Sequence, residues 1–184
     1  NTLSLHDALP ILIKKSDGFI YVTPQFKKQG NPRTIEALLP NFPQIISDDD
    51  LPSFSYEEYM KRHNSICFAG GIADKWNHSR IIRGLTHIGG VEYNLAGRGS
   101  QSFLKELQFL DGWKQVNFYG MIPFEKVKKI YSSSKIGVAL LSYVFGEDRT
   151  GTLGNTKIYE FMQAGLPIIC TDFEIWRDII DKYN

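Results

Sequence analysis

The sequence predicts an α/β fold: a Rossmann-like, doubly wound parallel sheet with helices on both faces. Two observations lead to this expectation. From Ser65 onward, apolar runs of strand length alternate with segments whose apolar residues recur every three or four positions, the spacing of one helix face. The first three predicted strands also end at glycines, namely Gly70, Gly97 and Gly120. Repeated strand–helix units form parallel sheets, and right-handed crossovers restrict the order of the strands.

Five strands are predicted in this part of the chain, each from a short apolar run: 65–69, 91–96, 116–119, 136–141 and 166–170. Helices should cover 100–113 and 173–183 and begin near Pro123 and Thr156. Residues expected to face the core from the first and third helices are Ile81, Ile82, Leu85, Ile88, Phe124, Val127, Ile130 and Tyr131. With strand order 3-2-1-4-5, a ligand would bind at the carboxyl ends of the strands, where the winding direction switches.

Composition and charge exclude several classes of protein. The formal net charge of +1 gives no basic surface for nucleic acid, so no nucleic-acid partner is expected. The apolar and charged fractions are those of an ordinary globular protein. No apolar run reaches the length of a membrane span, and we expect a cytoplasmic location. Cys67 and Cys170 lie in apolar runs and are expected to be buried free thiols.

Lys157 and Glu160 form the most informative polar pair. They lie three positions apart, and therefore on one side of a predicted helix that Gly165 and Pro167 end. Thr156 is suited to cap the start of this helix. Free backbone N–H groups at a helix start, together with an ammonium group, attract an anion such as phosphate. The alternative is a surface Lys–Glu pair on an ordinary helix.

The stretch from Lys157 to Ile169 reads Lys-x-x-Glu-Phe-Met-x-Ala-Gly-x-Pro-Ile-Ile. It resembles the nucleotide-sugar motif of GT-B glycosyltransferases, specifically the glycosyl transferases group 1 family. The resemblance implies that Glu160 binds the ribose hydroxyls of the donor and that Lys157 lies beside its phosphates and sugar. The family often carries a second Glu eight residues earlier, which contacts the transferred sugar, whereas this sequence has Thr152. The side chains that are able to substitute for it are Glu147, Asp148 and Asn155.

Two further loops resemble the same family. The stretch 70–75 resembles the loop after the first strand, whose backbone N–H groups and lysine, here Lys75, contact the donor diphosphate. The family frequently has Arg where this sequence has Gly71. The stretches 97–99 and 120–123 resemble loops around the nucleobase, and Arg98 is either a phosphate or base contact or an ordinary surface arginine. The resemblance implies catalytic roles for Lys75 and Lys157 and donor contacts from Gly70, Gly71, Gly97, Met121, Asn155, Thr156 and Glu160.

The resemblance also implies a division of the chain. Residues 1–44 are expected to be the end of the amino-terminal GT-B domain and the hinge, although residues 1–11 resemble translated sequencing-adapter sequence. Within this part, 19–23 predicts a strand, 24–36 is polar and turn-rich, and the family pattern adds a short helix before the hinge. Residues 45–184 are expected to form the carboxyl-terminal nucleotide-sugar-binding domain, cut short at its end.

The implied reaction is transfer of a sugar from a nucleotide diphosphate sugar to an acceptor hydroxyl, with retention of configuration. The resemblance implies that no cofactor and no metal are needed, and Asp48, Asp49 and Asp50 are better explained as a solvated loop than as a metal site. The acceptor would be a saccharide or a lipid-linked saccharide. Acceptor groups, and any peripheral membrane contact, would come from the largely missing domain, so the fragment should bind nucleotide weakly and transfer nothing.

Two alternatives stay open. The chain is either a donor-binding domain or a non-catalytic relative that has kept the fold, as the departures at Thr152 and Gly71 would allow. UDP-sugar epimerases share the GT-B architecture, but no matching set of acid–base residues is evident. His63, His78 and His87 show neither metal-ligand spacing nor a paired nucleophile, and His78 and His87 are expected on an exposed helix flank.

Overall fold

The computed structural model describes residues 15–22, 35–43, 55–143 and 149–183. Their contacts divide the chain into two compact units. The first comprises Asn1–Pro43 and Thr152–Thr156, and the second comprises Gln44–Gly151 and Lys157–Asn184. None of the helices in the described segments combines the length and the apolar character that a membrane crossing requires.

In the first unit, β1 (Gly18–Tyr21) pairs in parallel with β2 (Ile35–Leu38). The strand predicted near 19–23 is present, but β2 falls where the sequence indicated a turn-rich segment and a linker. A two-stranded sheet buries little surface, and Ile35 and Leu38 are both exposed, so the apolar pattern of this strand carries little signal. The short helix expected before the hinge lies outside the described residues.

The second unit alternates strands and helices. In chain order its elements are α1 (Tyr56–Lys61), β3 (Ser65–Ile72), α2 (His78–Leu85), β4 (Glu92–Gly99), α3 (Gln101–Gln108), β5 (Val116–Gly120), α4 (Phe124–Ser133), β6 (Ile136–Ala139), α5 (Lys157–Gln163), β7 (Ile168–Cys170) and α6 (Glu174–Tyr183). Two 3₁₀ turns, Asp74–Trp76 and Asp111–Gln115, join them. Helix α1 was not predicted.

The sheet of the second unit is parallel throughout, in the order β5-β4-β3-β6-β7. This confirms the predicted order 3-2-1-4-5 and the α/β fold. Right-handed crossovers then place α2 and α3 on one face and α4 and α5 on the other. Tyr131 of α4 and Phe161 of α5 meet edge to face, with ring centroids 5.2 Å apart. Phe161 also covers Gly137 of β6, where a Cβ atom would lie 2.4 Å from its ring.

Several predicted details are wrong. Helix α2 ends at Leu85, which leaves Ile88 exposed. The helix expected over 100–113 breaks after Gln108 into a 3₁₀ turn. Phe124 is exposed rather than inward-facing, because it begins α4 and no earlier turn packs beside it. The last strand covers only Ile168–Cys170 and exposes Ile169, since β7 is the edge strand of the described sheet.

Candidate functional site

A cavity of about 330 Å³ opens at the carboxyl ends of β3, β4 and β5. It is lined by small residues at the ends of β3 and β4, by the loop after β5, and by the first turns of α4 and α5. Its apolar wall includes Met121, Ile122, Phe124 and Val127. Six of the nine predicted site residues line it: Gly70, Gly71, Gly97, Met121, Lys157 and Glu160.

Two glycines form the floor where β3 and β4 run side by side. Gly70 and Gly97 are register partners in the ladder. A Cβ atom on Gly97 would lie 1.7 Å from the carbonyl oxygen of Gly70, and its φ of 135° is one that side chains avoid. Only glycine therefore fits at Gly97, and bare backbone faces the cavity at this point.

Lys157 and Glu160 meet on the first turn of α5. The Lys157 Nζ donates to Glu160 Oε2 over 2.7 Å, and the two side chains are only 14% and 12% exposed. The side chain of Lys157 also covers Gly70, where a Cβ atom would lie 3.1 Å from the lysine Cε. The pair thus lies in the wall of the cavity, whereas the alternative prediction was an ordinary Lys–Glu pair on the solvent-exposed surface of a helix.

Tyr131 holds the same carboxylate from the neighbouring helix. Its hydroxyl donates to Glu160 Oε2 over 3.0 Å, and its ring is buried. Burial raises the pKa of Tyr131 far above its usual range, and the negative charge of Glu160 adds to this effect. The hydroxyl therefore stays protonated near neutral pH and can donate to the carboxylate. The sequence identified Tyr131 only as a core residue.

Three predicted residues do not line the cavity. Lys75 lies exposed in the 3₁₀ turn after β3, where its carbonyl accepts from the Ser142 backbone N–H over 2.7 Å. Asn155 and Thr156 group with the first unit rather than with α5. Within that unit, the Thr152 hydroxyl accepts from the Gly154 N–H over 3.0 Å. Glu147, Asp148 and the three aspartates at 48–50 lie outside the described residues.

The sequence prediction misplaced one apolar residue at the start of α4. Phe124, predicted to face the core, instead lines the cavity and is 51% exposed. Met121 beside it is also exposed. The available signal was the position of Phe124 directly after Pro123 at a helix start, since such residues lie at the strand-end edge of an α/β sheet.

His78 is buried, contrary to the exposed flank that was predicted. Its Nδ1 lies 2.9 Å from the Tyr93 hydroxyl, and its ring meets Phe68 edge to face. Burial lowers the pKa of His78 to about 4, so the ring is neutral near pH 7. His63 and His87 are exposed. Among the described residues, no group of three or more His, Cys, Asp and Glu side chains is placed to hold a metal ion.

Comparison with known protein families gives one match: the model described as glycosyl transferases group 1 matches residues 63–184. This region contains the whole parallel sheet and every residue lining the cavity. Among curated proteins, none matches the sequence significantly.

Three solved structures of similar fold are distant from this chain in sequence. Anabaena Alr3699/HepE, in complex with UDP and glucose, has a TM-score of 0.63 at 14% identity, over 90% of this chain and 47% of its own. AviGT4, a glycosyltransferase involved in avilamycin A biosynthesis, has a TM-score of 0.59 at 16% identity, over 88% of this chain and 47% of its own. The pneumococcal O-GlcNAc transferase GtfA, in complex with UDP and GlcNAc, has a TM-score of 0.56 at 16% identity, over 91% of this chain and 32% of its own. The chain thus spans less than half the length of each of these proteins.

Proposed function

Because the chain belongs to the glycosyl transferases group 1 family, we propose that it is the donor-binding part of a glycosyltransferase. The parent enzyme would transfer a sugar from a nucleotide diphosphate sugar to an acceptor hydroxyl. One observation carries the proposal: a glycine floor, an ammonium group and a partly buried carboxylate surround one cavity at the strand ends. Its volume falls within the range of small-molecule sites.

Glu160 is proposed to bind the ribose hydroxyls. A carboxylate accepts hydrogen bonds only, so it suits two neighbouring hydroxyl groups that both donate. Lys157 and Tyr131 both donate to Glu160 Oε2, and these two bonds fix the orientation of the carboxylate before the ligand arrives. Such preorganisation lowers the entropic cost of binding.

The diphosphate is proposed to lie over the glycines at the ends of β3 and β4. Gly70, Gly71 and Gly97 let the ligand approach the backbone closely, and Met121 would lie beside the base. Lys157 and Lys75 would stabilise the charge that develops on the departing diphosphate. Lys75, Asn155 and Thr156 stay in this proposal on the family resemblance alone, since they do not line the cavity.

The remainder of the reaction is proposed from the family. Transfer would occur with retention of configuration and without a bound metal or cofactor. The acceptor, a saccharide or lipid-linked saccharide, would bind the other GT-B domain, which would also provide any peripheral membrane contact. The fragment itself is therefore expected to bind donor weakly and to transfer nothing, and its parent is expected in the cytoplasm. Uridine diphosphate is the first nucleotide to test, since UDP accompanies two of the similar structures.

A non-catalytic domain is the second candidate. The specific observation in its favour is Gly71: a Cβ atom there would meet open space among the described residues, so none of them requires glycine at this position. The family's frequent arginine at this position is then a contact that the chain has lost without a steric reason.

The test is thermal and chemical stability against a panel of nucleoside diphosphates and their sugars. A ligand that binds only the folded state raises the free energy of unfolding by about 2.7 kcal/mol at a hundredfold excess over its Kd. We expect one nucleotide to stabilise the wild type and Glu160→Ala to abolish that effect. Glu106→Ala, which removes an exposed carboxylate from α3, is the matched control and should retain it. A wild-type chain that no nucleotide stabilises, either alone or joined to its missing domain, would support the non-catalytic candidate.

A further inference from the structure

We infer that Arg98 anchors the phosphates of the ligand in this cavity, an inference that rests on the proposed function. Arg98 lies near the end of β4 and lines the cavity. It had no assigned role, because an arginine between two glycines is equally consistent with a solvent-exposed side chain. Its position in the sheet and the charge balance of the cavity distinguish the two interpretations.

The register of the sheet places Arg98 over small residues. Arg98 pairs with Gly71, and two positions earlier Ala96 pairs with Ala69. Residues two apart on a strand, and residues paired across strands, point to the same face of a sheet. This face therefore offers Ala69, Gly71 and Ala96 together with one long cationic side chain, and all four residues line the cavity.

Gly71 gives the guanidinium group room. Apart from its two chain neighbours, no heavy atom of the described residues lies within 4 Å of the place where a Cβ atom on Gly71 would stand. An arginine opposite a larger residue would share that space or turn away from it. Here the space beside Arg98 is open to a ligand that lies across the strand ends.

The charges of the cavity leave Arg98 as its excess cation. Among the described residues, the ionisable side chains that line it are Arg98, Lys157 and Glu160. Lys157 and Glu160 form an ion pair over 2.7 Å and largely neutralise each other. In the described part of the chain Arg98 has no salt-bridge partner, so the net charge of +1 lies on its guanidinium group. The planar guanidinium group binds phosphate oxygens in pairs.

In this assignment the two cations of the cavity, Arg98 and Lys157, have different roles. Arg98 would bind the phosphates of the resting ligand, while Lys157 keeps its bond to Glu160 and so keeps the carboxylate in place. A ligand held in this way loses affinity when Arg98 is neutralised, and the loss depends on its phosphates rather than on its base.

The experiment compares uridine, uridine diphosphate and inorganic pyrophosphate by calorimetric titration of the wild type, Arg98→Gln and Arg98→Lys. Arg98→Gln should weaken uridine diphosphate binding between about tenfold and a hundredfold, the equivalent of a hydrogen bond to a charged group. The affinity for uridine should change by less than about twofold, and the affinity for pyrophosphate should fall by about the same factor as that for uridine diphosphate. Arg98→Lys should recover part of the loss. Arg83→Gln, which removes an exposed arginine from α2 outside the cavity, should bind like the wild type.

The outcomes separate this inference from the proposed function. A wild type that binds uridine diphosphate, with Arg98→Gln binding it equally well, would overturn the role of Arg98 and leave the donor site standing. Equal losses for uridine and uridine diphosphate would assign Arg98 to the base instead, which also overturns it. A wild type that binds neither uridine diphosphate nor pyrophosphate, alone or joined to the other GT-B domain, would overturn this inference, whereas binding of another nucleotide from the panel would still support the proposed function. Since Arg98 is exposed, its variants should unfold at the wild-type temperature.

Discussion

The hydroxyl of Tyr131 is expected to support both folding and nucleotide binding, and Tyr131→Phe removes that one oxygen. The hydroxyl is buried and donates to the Glu160 carboxylate over 3.0 Å. Phenylalanine keeps the edge-to-face contact with Phe161 and leaves no large void. The substitution therefore removes the hydrogen bond between a helix of the core and the carboxylate of the candidate site, together with the interaction of the hydroxyl with the Ala69 backbone.

The size of the effect follows from the partners of Glu160. A hydrogen bond to a charged group contributes about 1.5 to 3 kcal/mol to stability. Glu160 Oε2 keeps its bond from Lys157 over 2.7 Å, so the carboxylate is not left without a donor. We therefore expect Tyr131→Phe to lower the free energy of unfolding by about 1 to 2 kcal/mol, towards the lower end of that range. A less firmly held carboxylate should weaken uridine diphosphate binding roughly threefold to tenfold.

Urea denaturation measures the first quantity and calorimetric titration the second. Tyr93→Phe is the matched control, because its buried hydroxyl lies 2.9 Å from His78 Nδ1 and away from the cavity lining. That partner is neutral near pH 7, so the control should lose about 0.5 to 1.5 kcal/mol of stability and no nucleotide affinity. The reasoning is refuted if Tyr131→Phe changes stability by less than about 0.3 kcal/mol, or if both variants lose the same affinity.

Two further predictions concern the floor of the cavity and the buried histidine. Gly97→Ala should lower the free energy of unfolding by about 3 kcal/mol or more in urea denaturation, because its Cβ atom would meet the Gly70 carbonyl oxygen. Gly71→Ala, where the Cβ atom meets open space, should lower it by less than about 1 kcal/mol. Equal losses for the two variants would contradict this packing. Folding lowers the pKa of His78 from 6.5 to about 4, so its neutral form contributes stability above pH 6.5, and roughly 3 kcal/mol of it is lost as the pH falls to 4. His78→Gln should lack that component, and unfolding free energies of the two proteins between pH 7 and pH 4.5 would show it; parallel pH profiles would mean that His78 is not buried as a neutral ring.

The candidate site was predicted in part because its residues belong to local motifs. Lys157 and Glu160 are three positions apart on a helix, so their proximity follows from helical geometry alone. Gly70 and Gly97 each follow a strand-like run, and parallel strand ends meet at one edge of a sheet. Tyr131 comes from another helix, 29 positions before Glu160, and nothing in its own neighbourhood indicates a polar partner.

What the sequence by itself determined is the type and order of the elements from β3 to α6. Strand and helix periodicities, glycine ends and short connections are local properties of a chain, and handed crossovers leave few ways to assemble them. They were sufficient for the parallel order β5-β4-β3-β6-β7.

Only the tertiary structure decided which faces are buried and which side chains meet. It buried His78 against Phe68 and Tyr93, exposed Ile169 on an edge strand, paired Arg98 with Gly71, and left Lys75 outside the cavity. Each of these outcomes depends on whether an element that is distant in the chain packs against the residue or leaves it exposed. Burial and pairing are properties of packed surfaces, and a local pattern cannot specify them because it does not contain the partner.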